Sequence, residues 1–135
     1  MSNVNAPVVF DIKYHFVWHT KFRTPILQGD LRKRARELLR QDCEAKGMNI
    51  IEGKLGKNYI YMMVSCPAHR SPSEIMRLLK GRSSKLLQEE FPYIKEKNLH
   101  GSLWDSGYFC ATIGDTPIEV IRNYIDGLPG PGFQP

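Results

Sequence analysis

Apolar and polar positions change their period several times along the chain, and each change marks an element. Asn58 to Ser65 alternates with period two: Tyr59, Tyr61 and Met63 fall on one face, Ile60, Met62 and Val64 on the other. Gly56-Lys57 and Pro67 bound the run, which is the pattern of a strand. The second set is uniformly apolar and predicts a core-facing surface. The first places two phenols about 7 Å apart.

An earlier run, Val8 to Thr20, predicts a first strand with an aromatic face of Tyr14, Phe16 and Trp18, alternating with Lys13, His15, Val17 and His19. His15 and His19 share a face but stand about 13 Å apart, too far to chelate one ion, so they read as hydrogen-bonded fillers. Met48 to Leu55 reads as a second strand that turns through Lys57-Asn58 into the central one. Leu103-Trp104 and Gly107 to Ile113 supply further strand material, after a connecting loop from Phe91 to Gly101.

Helical spacing governs the rest. Leu31, Ala35, Leu38 and Leu39 recur on one face of a helix capped by Asp30 and ended by Gly47. Ser71-Pro72-Ser73-Glu74 is a capping box with proline at the first helical position. The helix it opens turns Ile75, Leu78, Leu79, Leu86 and Leu87 inward and runs to about Glu90. Thr116-Pro117-Ile118-Glu119 repeats the design and opens a short helix striped by Ile118, Ile121 and Ile125. Tyr124 lies beside that stripe, and Gly127 and Pro129 stop the helix.

Six of these elements in βαββαβ order predict an α+β, ferredoxin-like antiparallel sheet with helices on one face, followed by an added C-terminal helix. Residues 1–10 read as a flexible arm, 11–126 as the domain, and 127–135 as a Pro/Gly-rich tail. A length of 135 residues fits one domain.

Charge adds a partner class. The net charge is +5, and the basic residues cluster. Arg32, Lys33, Arg34, Arg36 and Arg40 crowd the first long helix, with only Glu37 to offset them; nucleic-acid contact and a solvated basic face weigh equally there. Arg77, Lys80, Arg82 and Lys85 surround Gly81 and Ser83-Ser84 on the second. Small residues among cations let a phosphate backbone approach closely, whereas a glycine kept for packing is the plainer alternative. Lys21-Phe22-Arg23-Thr24-Pro25 is a basic turn that could contact a phosphate or serve only as a loop. Trp104 and Tyr108 fit a core better than a base-stacking surface.

Cys43, Cys66 and Cys110 form no C-x-x-C pair, which argues against a zinc ribbon or a disulfide framework. Neither a signal peptide nor an apolar run of about 20 residues is visible. The expected setting is the cytoplasm, away from membranes.

Several of these residues carry a family pattern. Tyr14-His15-Phe16-Val17-Trp18 with Thr20-Lys21-Phe22-Arg23 resembles the opening of the small single-tyrosine transposases of the HUH superfamily, encoded by the most compact bacterial insertion sequences. Ser73-Glu74-Ile75, Leu79-Lys80-Gly81-Arg82-Ser83-Ser84, Leu103-Trp104, Gly107-Tyr108-Phe109 and Ile121-Arg122-Asn123-Tyr124-Ile125 continue the match. The resemblance implies a dimer that binds hairpins in single-stranded DNA. It also implies nicking and rejoining of one strand through a 5′-phosphotyrosine, with Tyr124 as nucleophile by position. DNA contacts are expected from Lys21, Arg23, Arg77, Lys80, Arg82, Ser83 and Lys85.

In that family two histidines on the central strand, and a polar residue one turn after the tyrosine, hold a divalent metal, magnesium or manganese. The corresponding positions here are Tyr59, Tyr61 and Leu128. A phenol that ionises near pH 10 is a poor ligand for magnesium at neutral pH, so no metal cofactor is expected. Three readings stay open: an active metal-dependent transposase, a DNA-binding descendant with little or no cleavage, and a basic module repurposed for structured RNA.

Overall fold

The computed structural model of the chain describes residues 12–67, 69–97, 101–112, 119–120 and 122–123. Strand β1, Ile12–His19, lies at the middle of the sheet. It pairs antiparallel with β3, Tyr59–Cys66, in a register that sets Val17 opposite Tyr61 and Trp18 opposite Ile60. The alternation expected for both strands is realised. Phe16, Trp18, Ile60, Met62 and Val64 enter the main core, while Val17, Tyr59 and Tyr61 form a second buried cluster on the opposite face.

The outer strands complete an all-antiparallel sheet of order β2-β3-β1-β4, with β2 at Asn49–Leu55 and β4 at Phe109–Thr112. Together with the two helices below, this is the ferredoxin-like topology. In the hairpin between β2 and β3, Gly56 N–H donates to Tyr59 C=O at 2.9 Å. A Cβ on Gly56 would overlap the Tyr59 ring, so glycine is what lets that ring fold back over its own turn. A bulge between Ile50 and Glu52 breaks the β2 register, leaving Ile50 and Ile51 exposed on the sheet edge.

Helix α1, Gly29–Ala45, buries Leu31, Ala35, Leu38, Leu39 and Cys43. The cap position belongs to Gln28 rather than Asp30, and Gln28 makes no side-chain cap bond. Asp30 instead sits in the first turn, where its charge favours the positive end of the helix dipole. The C-terminus is a Schellman motif: Gly47 has φ 71°, its N–H donates to Glu44 C=O, and Met48 N–H donates to Cys43 C=O at 2.8 Å. Cys43 and Met48 are both buried, which adds the apolar contact that accompanies the motif.

Helix α2, Pro72–Glu90, begins as expected, with Glu74 N–H donating to Ser71 Oγ at 3.2 Å and proline in the first turn. Its buried stripe is Ile75, Met76, Leu79, Ser83, Ser84 and Leu87. Leu78 and Leu86, expected inside, are half-buried. The predicted loop after α2 contains a 3-10 helix, Pro92–Lys97, pinned by fully buried Ile94. Glu119, Val120, Arg122 and Asn123 are helical. The rest of the C-terminal reading, including Ile118, Ile121, Tyr124, Ile125, Gly127 and Leu128, lies outside the described residues, as do the arm before Ile12 and the tail.

Candidate nucleic-acid interface

Ser73, Arg77, Gly81 and Lys85 recur every fourth residue along the exposed side of α2, a spacing that stacks them on one face. Gly81 stands at the centre of that row. Among the described residues, a Cβ built on it meets nothing within 4 Å, so packing within the described fold does not explain this glycine. Glycine in a helix interior costs about 1 kcal/mol relative to alanine, and no neighbour within the described fold accounts for it.

Opposite this row runs the segment Gly101–Tyr108. Two buried serines of α2 hold it in place. Ser83 Oγ accepts from the Trp104 indole N–H at 2.9 Å and itself donates to Leu79 C=O. Ser84 Oγ accepts from Leu103 N–H at 2.8 Å and from Gln88 Nε2 at 2.9 Å. Trp104 meets Trp18 edge to face at 6.0 Å, which carries the segment into the main core. The preference for Trp104 as a core residue therefore holds, while Tyr108 is 39% exposed and belongs to the surface.

Helix and segment leave a groove between them, made of adjoining depressions. One of about 470 Å³ lies between Lys85, Lys95 and Gly101, and one of about 350 Å³ between Arg77, Gly81 and Tyr108. A third of about 400 Å³ continues to Lys21 and Phe22. Gly81 and Ser102 are shared by the first two, Lys80, Ser102 and Ser106 by the last two.

The predicted DNA-contact residues divide on this geometry. Arg77 and Lys85 are exposed along the groove. Lys80 lines it but is half-buried, donating through Nζ to the carbonyls of Asp105 at 2.6 Å and Gly107 at 3.2 Å; burial lowers its pKa. Ser83 corrects the expectation of a phosphate contact: it is fully buried and its hydroxyl is used internally. Arg82 is exposed, and its guanidinium also reaches α1, donating to Asp42 Oδ1 at 2.6 Å. Arg23 pairs with Asp105 at 2.8 Å, and Lys21 lines the far end of the groove. On α1, Arg34 is tied to Glu90 and Glu37 and Arg32 Nη1 donates to Leu55 C=O, so part of that basic cluster serves packing. The sequence reading passed over Ser102, Ser106 and Gln88, of which Gln88 Nε2 also donates to Gly101 C=O at 2.7 Å. The small-residue run Gly101-Ser102 and Ser106-Gly107 was the available signal.

The sheet's other face carries the central-strand phenols. His15 Nδ1 and Tyr61 Oη lie 2.8 Å apart, with their rings stacked at 5.8 Å, and His19 lies 6.1 Å from the Tyr59 ring. His15 thus is a hydrogen-bonded filler, as expected, and His19 is buried with its ring against Tyr59. Burial pushes Tyr61 up to about 12, with the positive charge of Arg122 opposing the rise, and pushes His19 down to about 4. Burial also lowers His15. At neutral pH, Tyr61, His15 and His19 are consequently uncharged. A buried neutral phenol bonded to an imidazole does not fit a hard divalent cation, which takes carboxylate, carbonyl or water oxygens.

A family model described as "Transposase IS200 like" matches residues 8–127. This chain belongs to the IS200-like transposase family. The transposase is 34% identical over 116 residues to the transposase for insertion sequence element IS200 of Salmonella typhimurium, covering 86% of this chain and 76% of that protein. It is 25% identical over 118 residues to the ISDra2 transposase TnpA of Deinococcus radiodurans, covering 87% and 84%. Among solved structures, a transposase candidate from Deinococcus radiodurans superposes with a TM-score of 0.79 at 22% identity, covering 89% of this chain and 92% of that one. A REP-associated tyrosine transposase bound to a REP hairpin superposes at 0.58 with 14% identity, covering 93% and 69%. At those identities the two structures show the shared fold. No helix among the described residues of the transposase is long and apolar enough to cross a membrane.

Proposed function

We propose that this transposase binds hairpins in single-stranded DNA along the groove between α2 and Gly101–Tyr108. The observation that carries this reading is Gly81: a helix-interior glycine with open space above it among the described residues, flanked by exposed Arg77 and Lys85. Its missing side chain leaves room for a phosphate backbone between two cations. A REP hairpin bound to a protein of the same fold supports the choice of ligand. The test is fluorescence anisotropy with a labelled hairpin oligonucleotide over a salt series. Equal affinity of wild type and Arg77→Gln/Lys85→Gln would remove α2 from the interface.

In the chemistry proposed for it, the Tyr124 hydroxyl attacks a backbone phosphorus, forming a tyrosyl–phosphate ester as the P–O3′ bond breaks and a 3′-hydroxyl leaves. Rejoining runs the same exchange backwards, with a 3′-hydroxyl displacing the tyrosine. A divalent metal would polarise the phosphoryl oxygen, a contribution of several kcal/mol and hence three or more orders of magnitude in rate. We place Tyr59, Tyr61 and Leu128 at the family's metal-ligand positions, with the histidines replaced. The hydrogen-bonded Tyr61–His15 pair favours the reading that metal-assisted cleavage is weak here and that binding is the surviving activity. A hairpin-binding protein of transposase descent, acting on DNA in the cytoplasm, is the outcome. RNA hairpins are the competing ligand in the same assay.

The same reading proposes a homodimer, with the isoleucine stripe Ile118, Ile121 and Ile125 buried on a symmetric partner. Sedimentation at tens of micromolar protein tests it, and a monomer would contradict it.

A further inference from the structure

At the end of the groove the chain makes a turn that its sequence does not advertise. Phe22 and Arg23 both adopt left-handed backbone conformations, with φ of 60° and 57°. This region is uncommon for any residue but glycine and an outlier for a bulky one. Two such residues in succession hold only where the surroundings over-determine them. Here they do. Thr20 Oγ donates to Thr24 C=O at 2.7 Å, and Thr24 Oγ donates to Lys21 C=O at 2.9 Å. Arg23 N–H donates to Thr20 C=O at 3.0 Å, and the Arg23 side chain is anchored on Asp105. Lys21 N–H donates to Leu103 C=O at 2.9 Å, which ties the turn to the groove wall.

What this scaffold displays is one phenyl ring. Phe22 is 74% exposed, more than any other large apolar side chain among the described residues. The Phe22 ring therefore does not serve the core. Phe22 lines the same depression as Lys21 and Lys80, whose charges suit a phosphate chain; the one carboxylate there, Asp105, is engaged by Arg23.

We propose that the Lys21–Thr24 turn holds Phe22 as a stacking platform for an unpaired DNA base, at the point where a single strand leaves the hairpin stem bound in the groove. This rests on the groove reading and adds to it a residue that distinguishes flanked from blunt hairpins. A ring displayed by a braced turn at the edge of a cationic groove matches the way proteins hold single strands, by cations along the backbone and aromatic faces for the bases. Bases inside a duplex are stacked on each other and offer no free face, so the ring selects a base outside the stem. Arg23 and Asp105 act as positioning residues, since they set the turn and not the contact.

The experiment compares one hairpin stem with and without single-stranded flanks, titrated against wild type, Phe22→Ala and Phe22→Trp. Phe22→Ala is expected to weaken binding of the flanked hairpin about 5- to 100-fold, the range of one lost base–aromatic stack. It should leave the blunt stem unchanged, and leave the salt dependence of both unchanged because no phosphate contact is lost. Phe22→Trp should keep the affinity, and its exposed indole should be quenched by the flanked hairpin but not by the blunt one. Wild-type affinity in Phe22→Ala, with hairpin binding intact, would overturn the platform and spare the groove. Equal weakening on blunt and flanked stems would show that the ring acts on the duplex, and would also overturn it. Absence of hairpin binding by wild type would remove the groove reading and the platform together.

Discussion

His15 Nδ1 and Tyr61 Oη lie 2.8 Å apart on the sheet face away from the two long helices. The bond joins neighbouring strands, β1 and β3, and both side chains are almost fully buried. It makes the central phenol part of the architecture. Tyr61→Phe should remove a buried hydrogen bond and leave an imidazole nitrogen without it, costing about 1–3 kcal/mol. Urea denaturation reads this directly, and an unchanged midpoint would mean that the bond contributes nothing.

The same face predicts how stability depends on pH. Burial pushes His19 down to about 4 in the folded protein from an ordinary 6.5, and it lowers His15 as well. The unfolded chain therefore binds more protons between those values. Stability is fully present above pH 6.5 and falls as pH drops toward 4, by up to roughly 3 kcal/mol from His19. Denaturation midpoints at successive pH values should decline over this window, and His19→Gln should flatten the decline.

Gly81→Ala separates folding from binding. With nothing among the described residues near the new methyl group, the helix should gain about 1 kcal/mol and the melting temperature should rise. Hairpin affinity should fall, because the added carbon occupies the space reserved for the strand. A stabilised variant that binds as well as wild type would show that Gly81 leaves room for nothing.

The basic residues of α2 should behave in two classes. Neutralising Arg77 and Lys85 together should lower the slope of log affinity against log salt by roughly 0.7 for each lost single-strand phosphate contact, with little effect on folding. Arg82→Gln should act chiefly on stability, since it leaves the largely buried Asp42 carboxylate without its partner, a loss of about 1–3 kcal/mol. Salt titrations and thermal melts of both variants would expose a misassignment.

How much of this was readable beforehand follows from what each signal is made of. Strand faces and helix stripes were legible because they depend on period alone; Tyr59 with Tyr61 and Leu31 with Leu38 fall where alternation and helical spacing put them. Ser71 and Gly47 were legible because caps use few residue types. Ser83 was not. A serine beside basic residues reads as surface, and only the fold reveals that Trp104, 21 residues later, returns to hydrogen-bond it. The left-handed turn at Phe22 was hidden for a related reason: without glycine, nothing local announces positive φ. The bonds holding it come from its own threonines and from Asp105 and Leu103, far along the chain. The bond from Arg82 to Asp42 was hidden likewise, because its partner lies on another helix.

The most direct test of weakened cleavage with retained binding is covalent trapping. Wild-type transposase is incubated with a labelled flanked hairpin and manganese, and the products are resolved under denaturing conditions. Expected is tight hairpin binding in a parallel titration with no protein–DNA adduct above background. An adduct that forms with manganese, and disappears both in Tyr124→Phe and with chelator, would contradict this and show that metal-assisted transesterification persists.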